Sequence, residues 1–221
     1  LPKKNLGGKN LSALRHDLSH RLLNLDPAGR YLKGYHRNAA EHLKIKALPK
    51  KSNHPFTVTF AVGGAGAQRE IGAKMLKSLK QKIEEKAMRL NLIAGTHADV
   101  RDYFKKAVEE TGLIRHLGKE IHILFQPDKT KYFAEFNNWL RATDVLWTKP
   151  SELSFYPALG IPIIMAPPIG SQEKFNRLWL KTIGAGISQN DPRYTAEWLF
   201  DWRQSGWLAQ AAMRGFIEAP R

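Results

Sequence analysis

The sequence predicts an α/β fold: a Rossmann-like parallel sheet flanked by helices, preceded by a basic helical segment. From residue 56 onward, short apolar runs alternate with longer segments whose apolar residues recur every three or four positions. Strands separated by helices favour right-handed crossovers and parallel pairing. Residues 1–55 differ in composition, with 12 Lys or Arg against 3 Asp or Glu. We therefore divide the chain into a basic segment with a linker, 1–55, and a Rossmann-like domain, 56–221.

The basic segment begins with an amphipathic helix over residues 10–25, because its leucines fall at helical spacing. The sequence Asp-Pro-Ala-Gly at 26–29 ends that helix. A short second helix is predicted over 38–43, and residues 48–55 have the composition of a linker.

Five strands are predicted in the larger domain, each a short run rich in β-branched or aromatic residues. They are Phe56–Val62, Leu90–Ala94, Ile121–Phe125, Asp144–Thr148 and Pro162–Ala166.

Helices are predicted between these strands. One helix face carries apolar residues every fourth position, at Ile71, Met75, Leu79, Ile83 and Ala87. Thr96 and Asp99 have the spacing of a capping box at the start of the next helix. A short helix is expected near Ser151. The aromatic tail, 192–216, is expected to lie mostly in the core, with a fraction left to pack on a second domain.

Composition and charge limit the classes of function. No apolar stretch approaches the roughly 20 residues that span a bilayer, and we see no secretory signal. The absence of cysteine excludes disulfides and thiolate metal sites. The net charge of +15 indicates a polyanion or an anionic membrane surface as partner, or simply a solubilising surface. The basic residues expected to face such a membrane are Lys3, Lys4, Lys9, Arg15, Arg21, Lys44, Lys46, Lys50 and Lys51.

A glycine-rich turn follows the first predicted strand and leads into a helix, with Gly63, Gly64 and Gly66. It is not a P-loop, because no Gly-Lys-Ser/Thr follows, and it fits the dinucleotide pattern poorly. Backbone N–H groups at such a turn favour a phosphate through hydrogen bonds and the helix dipole, and Arg69 adds charge. The alternative is a tight turn without a ligand.

Two further stretches carry motifs: DVLWTKPSELSFYPALGIP at 144–162 and PPIGSQEKFNRLWLKTIGAG at 167–186. Together with the glycine-rich turn, their order resembles the C-terminal, donor-binding domain of GT-B glycosyltransferases. Within that family, the sequence resembles the lipid II-forming N-acetylglucosaminyltransferases and the monogalactosyldiacylglycerol synthases. The resemblance covers residues 56–188.

The resemblance implies a UDP-sugar substrate and no metal or other cofactor. The glycine turn would face the diphosphate, and the loop after Phe125 would hold the base. Thr148, Lys149 and Ser151 would approach phosphate and ribose, while Gln172 and Asn176 would contact the sugar. The family's acceptor-activating base lies in another domain, so we assign no catalytic residue here and expect a missing N-terminal Rossmann-like domain.

Two positions depart from the family pattern. Ala65 stands where a Ser or Thr usually follows the paired glycines, and Phe155 stands where a Glu grips the ribose hydroxyls. Glu152 lies one helical turn earlier and either substitutes for that Glu or stabilises a helix dipole. A degenerate, non-catalytic module therefore remains an open interpretation.

The histidines give weaker indications. His97 follows a predicted strand and is a candidate to line the cleft, whereas His122 is more typical of the core. His16 and His20 are one helical turn apart, but no third metal ligand is near them in the sequence. A Ser-His-Asp hydrolase is disfavoured because no Gly-x-Ser-x-Gly motif exists.

The predicted function is transfer of a sugar from a nucleotide diphosphate to a lipid or other membrane-associated acceptor. Such a protein is expected to be cytoplasmic and peripheral at the inner membrane face. The alternatives are the non-catalytic module and a nucleic-acid binder, and the latter is disfavoured because the aromatics do not lie among the basic residues. The sequence does not specify the sugar, the acceptor or the oligomeric state.

Overall fold

A six-stranded sheet forms the centre of the computed structural model, which describes residues 7–61, 66, 68–150, 155–168 and 170–219. Its strands are β1 (Thr57–Ala61), β2 (Arg89–Gly95), β3 (Ile121–Phe125), β4 (Val145–Thr148), β5 (Ile163–Met165) and β6 (Gly186–Ser188). All neighbours pair in parallel, in the order β3-β2-β1-β4-β5-β6. The strand order therefore reverses between β1 and β4, as in doubly wound nucleotide-binding folds.

Helices connect the strands and enclose the sheet. They are α1 (Ser12–Leu25), α2 (Leu32–Leu43), α3 (Arg69–Ser78), α4 (Lys80–Glu84), α5 (Ala98–Glu110), α6 (Lys129–Arg141), α7 (Phe155–Ala158), α8 (Ser171–Thr182), α9 (Thr195–Gln204) and α10 (Trp207–Glu218). Short 3₁₀ turns lie at Lys9–Leu11, Ile114–His116 and Pro192–Tyr194.

The parallel sheet and its flanking helices confirm the predicted α/β class. The five predicted strands are present with small differences at their ends, and β3 has the predicted bounds. β6 was not predicted. It contains only Gly-Ile-Ser, which is too short to show an apolar pattern, and it forms because Ile187 pairs with Ile164 of β5.

Both faces of β1 are buried, as expected for a central parallel strand. Its polar residue Thr59 is satisfied inside the core: its Oγ1 lies 2.7 Å from Thr143 Oγ1 and accepts a hydrogen bond from Asn91 Nδ2 at 3.1 Å. Hydrogen bonding thus removes the cost of burying this hydroxyl.

The helix predicted over 71–87 is two helices, so that prediction is wrong in its extent. Leu79 leaves helical geometry at ψ 2° and separates α3 from α4, although its side chain is fully buried. Lys86 adopts a φ of 55°, and the chain turns there. Ala87 is consequently exposed, and Met88 is buried in its place.

The N-terminal helices pack on the sheet. The predicted first helix is confirmed as α1, whereas α2 begins at Leu32, six residues before the predicted start. Leu14, Leu18 and Leu22 of α1 are buried in the same hydrophobic cluster as the strands. Residues on both sides of the predicted boundary at residue 55 therefore contribute to one core.

Arg21 anchors α1 to the edge of the sheet where the strands begin. It is 1% exposed, and its Nε donates to the Thr143 carbonyl at 2.6 Å. Nη1 donates to the Leu159 carbonyl at 2.9 Å and Nη2 to that of Leu140 at 3.3 Å. These carbonyls precede β4 and β5, so α1 covers the amino edge. The prediction that Arg21 faces a membrane is wrong, because its guanidinium is buried.

Asp144 connects three segments at the same edge. This fully buried carboxylate accepts hydrogen bonds from Asn24 Nδ2 of α1 at 3.0 Å and from the backbone N–H of Thr57 at 2.8 Å. Its other oxygen lies 3.1 Å from His54 Nε2. The amino edge is thus closed by a hydrogen-bonded polar network.

The aromatic tail lies largely in the core, as predicted. Trp198 packs against Trp147 of β4 with ring centroids 5.2 Å apart, and Leu208, Met213 and Phe216 of α10 are buried. A Cβ at Gly215 would lie 2.7 Å from the Pro157 carbonyl, so this glycine permits close packing of α10 on α7. Packing of the tail on a second domain stays a prediction.

Candidate functional site

The candidate site lies at the carboxyl edge of the sheet, at the switch point between β1 and β4. Ligands of such sheets bind outside the strands' carboxyl ends at this point. Gly63, Gly64 and Ala65 after β1, and Ser151 and Glu152 after β4, lie outside the described residues. The described part of the site consists of the residues around them.

Gly66 holds the turn after β1 close to α5. Its φ is +64°, and a Cβ at this position would lie 2.6 Å from Val100 Cγ2. Both the left-handed backbone and the close approach require glycine. The glycine that was predicted to face a phosphate is thus also needed for packing.

Gln68 bridges two loops and was not predicted as a site residue. It precedes α3 in left-handed geometry, with φ 69°, and its Nε2 donates to the Pro167 carbonyl at 3.1 Å. Since β4 lies between β1 and β5, this bond crosses the end of β4. Its Oε1 is buried without a hydrogen-bond partner among the described residues. No periodicity marks a single glutamine in a glycine-rich turn, so sequence patterns could not single it out.

Arg69, the first residue of α3, is engaged by a neighbouring carboxylate. Its Nη1 lies 2.7 Å from Asp99 Oδ2, and its guanidinium lies over the Tyr103 ring at 4.9 Å. The side chains of Arg69 and Asp99 are 39% and 69% exposed, respectively. Exposed pairs of this kind are weak and exchangeable, so an incoming anion can compete with Asp99 for Arg69.

In the described part of the chain, three helices begin at this edge without a side-chain cap: α3 after Gln68, α5 after His97 and α8 after Gly170. By contrast, α6 is capped by Asp128, whose Oδ1 accepts from the Lys131 N–H at 2.9 Å. First-turn N–H groups and the helix dipole both favour an anion. The predicted capping box at Thr96 is wrong, because His97 is the N-cap residue and Asp99 pairs with Arg69.

The loop after β4 is linked to α8. Asn176 Nδ2 donates to the Pro150 carbonyl at 2.9 Å, while Thr148 and Lys149 are partly exposed at the end of β4. Gln172 is exposed one turn earlier on α8. Asn176 of α8 therefore contacts the loop that carries Lys149.

Phe125 and His97 lie at the carboxyl ends of β3 and β2. The Arg101 guanidinium stacks over the Phe125 ring at 4.5 Å, and the Gln126 N–H donates to the Gly95 carbonyl at 2.9 Å. Arg101 also forms a two-point pair with Asp102, which lowers the pKa of that carboxyl. Among the described residues, no hydrogen bond links His97 or Phe125 to Arg69 or Asp99.

Arg177 is a basic residue of α8 to which the sequence analysis assigned no role. Its Nη2 and Nε lie 2.7 and 3.1 Å from Ser188 Oγ at the carboxyl end of β6. In this contact the charged guanidinium of Arg177 faces a neutral hydroxyl. The position next to Asn176 in the motif was the available signal.

Phe155 begins α7, with its ring 5.9 Å from Tyr156 and packed against the core. The residue expected to grip ribose in the resembling family is therefore an apolar packing residue here. Among the described residues, no group of three or more His, Asp or Glu could hold a metal ion. His122 lies partly exposed in β3, with Nε2 2.7 Å from the Lys119 carbonyl.

Comparison by sequence places the chain in a family. The profile of the domain of unknown function DUF6938 matches residues 24–199, so the chain belongs to that family. No curated protein matches the sequence.

Solved structures with a TM-score of 0.50 share the fold at low identity. Acinetobacter baumannii MurG is 17% identical, with a TM-score of 0.50 over 77% of this chain and 47% of that chain. A putative UDP-N-acetylglucosamine 2-epimerase from Listeria monocytogenes is 13% identical, with a TM-score of 0.50 over 72% of this chain and 40% of that chain. A glycosyltransferase from Rickettsia africae is 13% identical, with a TM-score of 0.47 over 88% and 50% of the two chains.

The predicted resemblance to a GT-B glycosyltransferase-like domain is confirmed at the level of fold. The chain spans half or less of the length of these structures. No helix in the described part of the chain is both long and apolar enough to cross a membrane.

Proposed function

We propose that this DUF6938 member binds a nucleoside-diphosphate sugar, UDP-linked, as the donor domain of a GT-B-type glycosyltransferase. The observation that carries the proposal is the convergence of the helices α3, α5 and α8, without side-chain caps, on the carboxyl edge of a 3-2-1-4-5-6 sheet. The name of the Listeria structure, which shares this fold, includes UDP-N-acetylglucosamine. That name supports the choice of ligand class.

In this proposal the diphosphate lies against the turn at Gly66 and the start of α3. Arg69 exchanges Asp99 for a phosphate oxygen, since their pair is exposed. Lys149 adds charge from the end of β4. Asn176 and Gln172 contact the sugar from α8, and the loop after Phe125 holds the base.

The proposed reaction moves a glycosyl group. An acceptor hydroxyl attacks the anomeric carbon, the bond from that carbon to the diphosphate oxygen breaks, and UDP leaves with the electron pair. The helix N-termini, Arg69 and Lys149 stabilise the charge that develops on UDP, which is electrostatic catalysis without a metal. The base that takes the acceptor proton belongs to a further domain, which we propose as a partner.

A second candidate function is donor binding without transfer. Phe155 supports it, because an apolar ring stands where the resembling family places the ribose-binding carboxylate. In this case the domain would act as a nucleotide-responsive interaction module.

We also propose contact with an anionic membrane surface through the N-terminal segment. Lys9, Lys44, Lys46, Lys50 and Lys51 are all exposed, and each would contribute about 1 kcal/mol near such a surface. A cytoplasmic, peripheral location at a membrane follows as part of the proposal. Salt-sensitive sedimentation with vesicles that contain anionic lipid tests it, and binding that resists high salt would contradict it.

Titration of ¹⁵N-labelled protein with UDP tests the donor site. We expect shifts in the amides of Gly66, Arg69 and Asn176 at millimolar UDP. Lys149→Ala should weaken binding about tenfold, because it removes a charge-assisted hydrogen bond. Lys181→Ala is the matched control, since Lys181 lies in the last turn of α8, away from the site.

Absence of any shift at millimolar UDP would overturn donor binding. If UDP binds, UDP-sugar hydrolysis or transfer assays on the chain joined to a GT-B acceptor domain separate the two candidates. Binding without turnover in that fusion favours the non-catalytic module.

A further inference from the structure

A groove of about 420 Å³ lies between α1 and the segment that follows α2. Four of its lining residues carry basic or imidazole groups: Arg15, His16, His20 and Lys44. No Asp or Glu is among its described lining residues. The groove therefore has the charge of an anion-binding site.

Two of these four residues each contain a buried nitrogen without a hydrogen-bond partner in the described part of the chain. Arg15 Nε and His20 Nδ1 have no hydrogen-bond partner among the described residues. The rest of Arg15 is held in place, since Nη1 donates to the Asn10 carbonyl at 2.9 Å. Buried polar atoms are normally satisfied, so these two point to a ligand that both accepts and donates hydrogen bonds.

The state of His20 follows from its surroundings. Its ring lies 4.7 Å from the His16 ring, centroid to centroid. Burial, and then the neighbouring His16, lower the pKa of His20. A lowered pKa favours the neutral ring, in which Nδ1, without a partner among the described residues, is an acceptor when Nε2 carries the proton.

Four of the other lining residues are apolar, Leu43, Ile45, Ala47 and Pro49, and the remaining two are Ser12 and Ser19. The volume falls in the range of pockets for small organic ligands and exceeds the needs of inorganic phosphate alone. A ligand that fills the groove therefore has a charged head and an apolar body.

We propose that this groove binds a phosphate monoester joined to an apolar group. The monoanion of a phosphate monoester, whose second pKa is about 6, offers an O⁻ to Arg15 and an O–H to His20. A phosphodiester has no O–H to offer. This site lies beside α1, which covers the amino edge, so it is distinct from the proposed donor site at the carboxyl edge.

The groups that face the histidines set the direction of the pH dependence. Asp17 Oδ1 lies 3.3 Å from His16 Nδ1, but its carboxylate is also held by Arg141 at 2.8 Å. Lys44 faces the groove from the end of α2, and His54 opposes protonation of His20. At low pH the O–H of the phosphate monoanion can donate to His20 Nδ1. At high pH the phosphate has lost that proton, so two hydrogen-bond acceptors face each other. Binding should therefore be stronger at pH 6 than at pH 8.

Calorimetric titration of the full chain with dihexanoyl phosphatidic acid, below its micellar concentration, tests the proposal. We expect saturable binding that is about tenfold tighter at pH 6 than at pH 8. Dihexanoyl phosphatidylmethanol, an anionic diester with the same acyl chains, is the matched control and should not bind. Inorganic phosphate should bind at least tenfold more weakly. UDP should not compete, which separates this result from the fate of the donor site.

Variants assign the binding to the groove. Arg15→Gln and His20→Gln should each reduce affinity about tenfold, and His20→Gln should remove the pH dependence. Arg37→Gln, on exposed α2 surface, is the control. Should a His20 variant fail to fold, the ¹³C-edited ring signal of native His20 still reports binding through a rise in its pKa. Equal binding of the diester, equal binding of inorganic phosphate, or binding only to vesicles of phosphatidic acid would each overturn the proposal.

Discussion

The two edges of the sheet differ in the burial and hydrogen bonding of their polar side chains. At the amino edge, Arg21 and Asp144 are buried and bonded to backbone carbonyls, a backbone N–H and polar side chains. At the carboxyl edge, Arg69 and Asp99 are exposed to solvent, and Gln68 Oε1 has no hydrogen-bond partner among the described residues. Satisfied polar networks hold a fold together, whereas exchangeable ones are available to a ligand. Charge in this chain therefore serves two purposes that composition alone cannot distinguish.

The largest expected effect is at the amino edge. Arg21→Met should lower the free energy of unfolding by about 3–5 kcal/mol, because three buried carbonyls lose their donor. Urea denaturation measures the loss, with Arg37→Met as an exposed control expected to change stability by less than about 0.5 kcal/mol. An equal effect of both substitutions would contradict the structural role of Arg21.

Asp144→Asn should have the next largest effect. One oxygen that accepts hydrogen bonds becomes an NH₂ group, which leaves a buried donor such as the Thr57 N–H, or His54, without its acceptor. We expect a loss of about 1–3 kcal/mol in the free energy of unfolding. Asp201→Asn, at an exposed position of α9, serves as control in the same denaturation series. Retained stability would show that the network tolerates the amide.

Gly66→Ala separates packing from backbone strain at the carboxyl edge. Gly95 has the same φ of +64°, but a Cβ there meets no atom within 4 Å, whereas one at Gly66 meets Val100 at 2.6 Å. Gly95→Ala should therefore cost about 1 kcal/mol for the left-handed conformation alone. Gly66→Ala should cost more and weaken UDP binding. Thermal melts of the two variants give the difference, and identical melting temperatures would argue against the close contact.

Asp99→Asn should leave stability almost unchanged and strengthen UDP binding severalfold. The substitution releases Arg69 from an exposed pair whose contribution is below about 1 kcal/mol. Asp102→Asn is a useful control, since it releases Arg101 instead. Weaker binding after Asp99→Asn would place the carboxylate, and not Arg69, in the donor site.

The smallest effect concerns acid stability near β6. Hydrogen bonds from Arg193 lower the pKa of Asp191 from 3.8 to about 2. A depressed carboxyl pKa stabilises the fold above the unfolded-state value, and that contribution is lost as pH falls from about 4 to about 2. Asp191→Asn should flatten the pH dependence of stability in that window, as measured by denaturation at each pH. An unchanged slope would contradict the pairing.

The sequence was sufficient to predict the parallel fold, because β3 and its neighbours combine apolar runs with helical spacing between them. It was insufficient where tertiary contacts override local pattern. Ala87 continues the four-residue repeat, yet the turn at Lys86 exposes it and buries Met88. Arg21 resembles any surface arginine in sequence, and only the approach of residues more than 100 positions away explains its burial.

The site residues assigned from the motifs stay predictions. The bond from Asn176 to the Pro150 carbonyl places α8 against the loop that carries Lys149. Gln68 and Arg177 were not singled out, because a hydrogen bond across a strand and a contact between α8 and β6 have no local periodicity. Direct involvement of any of these residues in binding stays a prediction.

The hydrogen bond from Gln68 to the Pro167 carbonyl has a further consequence for conformational entropy. It links the segments that precede α3 and α8, which are about 100 residues apart in the chain. Segments ordered in advance lose less freedom when a ligand arrives. In this domain, part of the affinity for a ligand would then come from order that folding has already established, without any additional contact to the ligand.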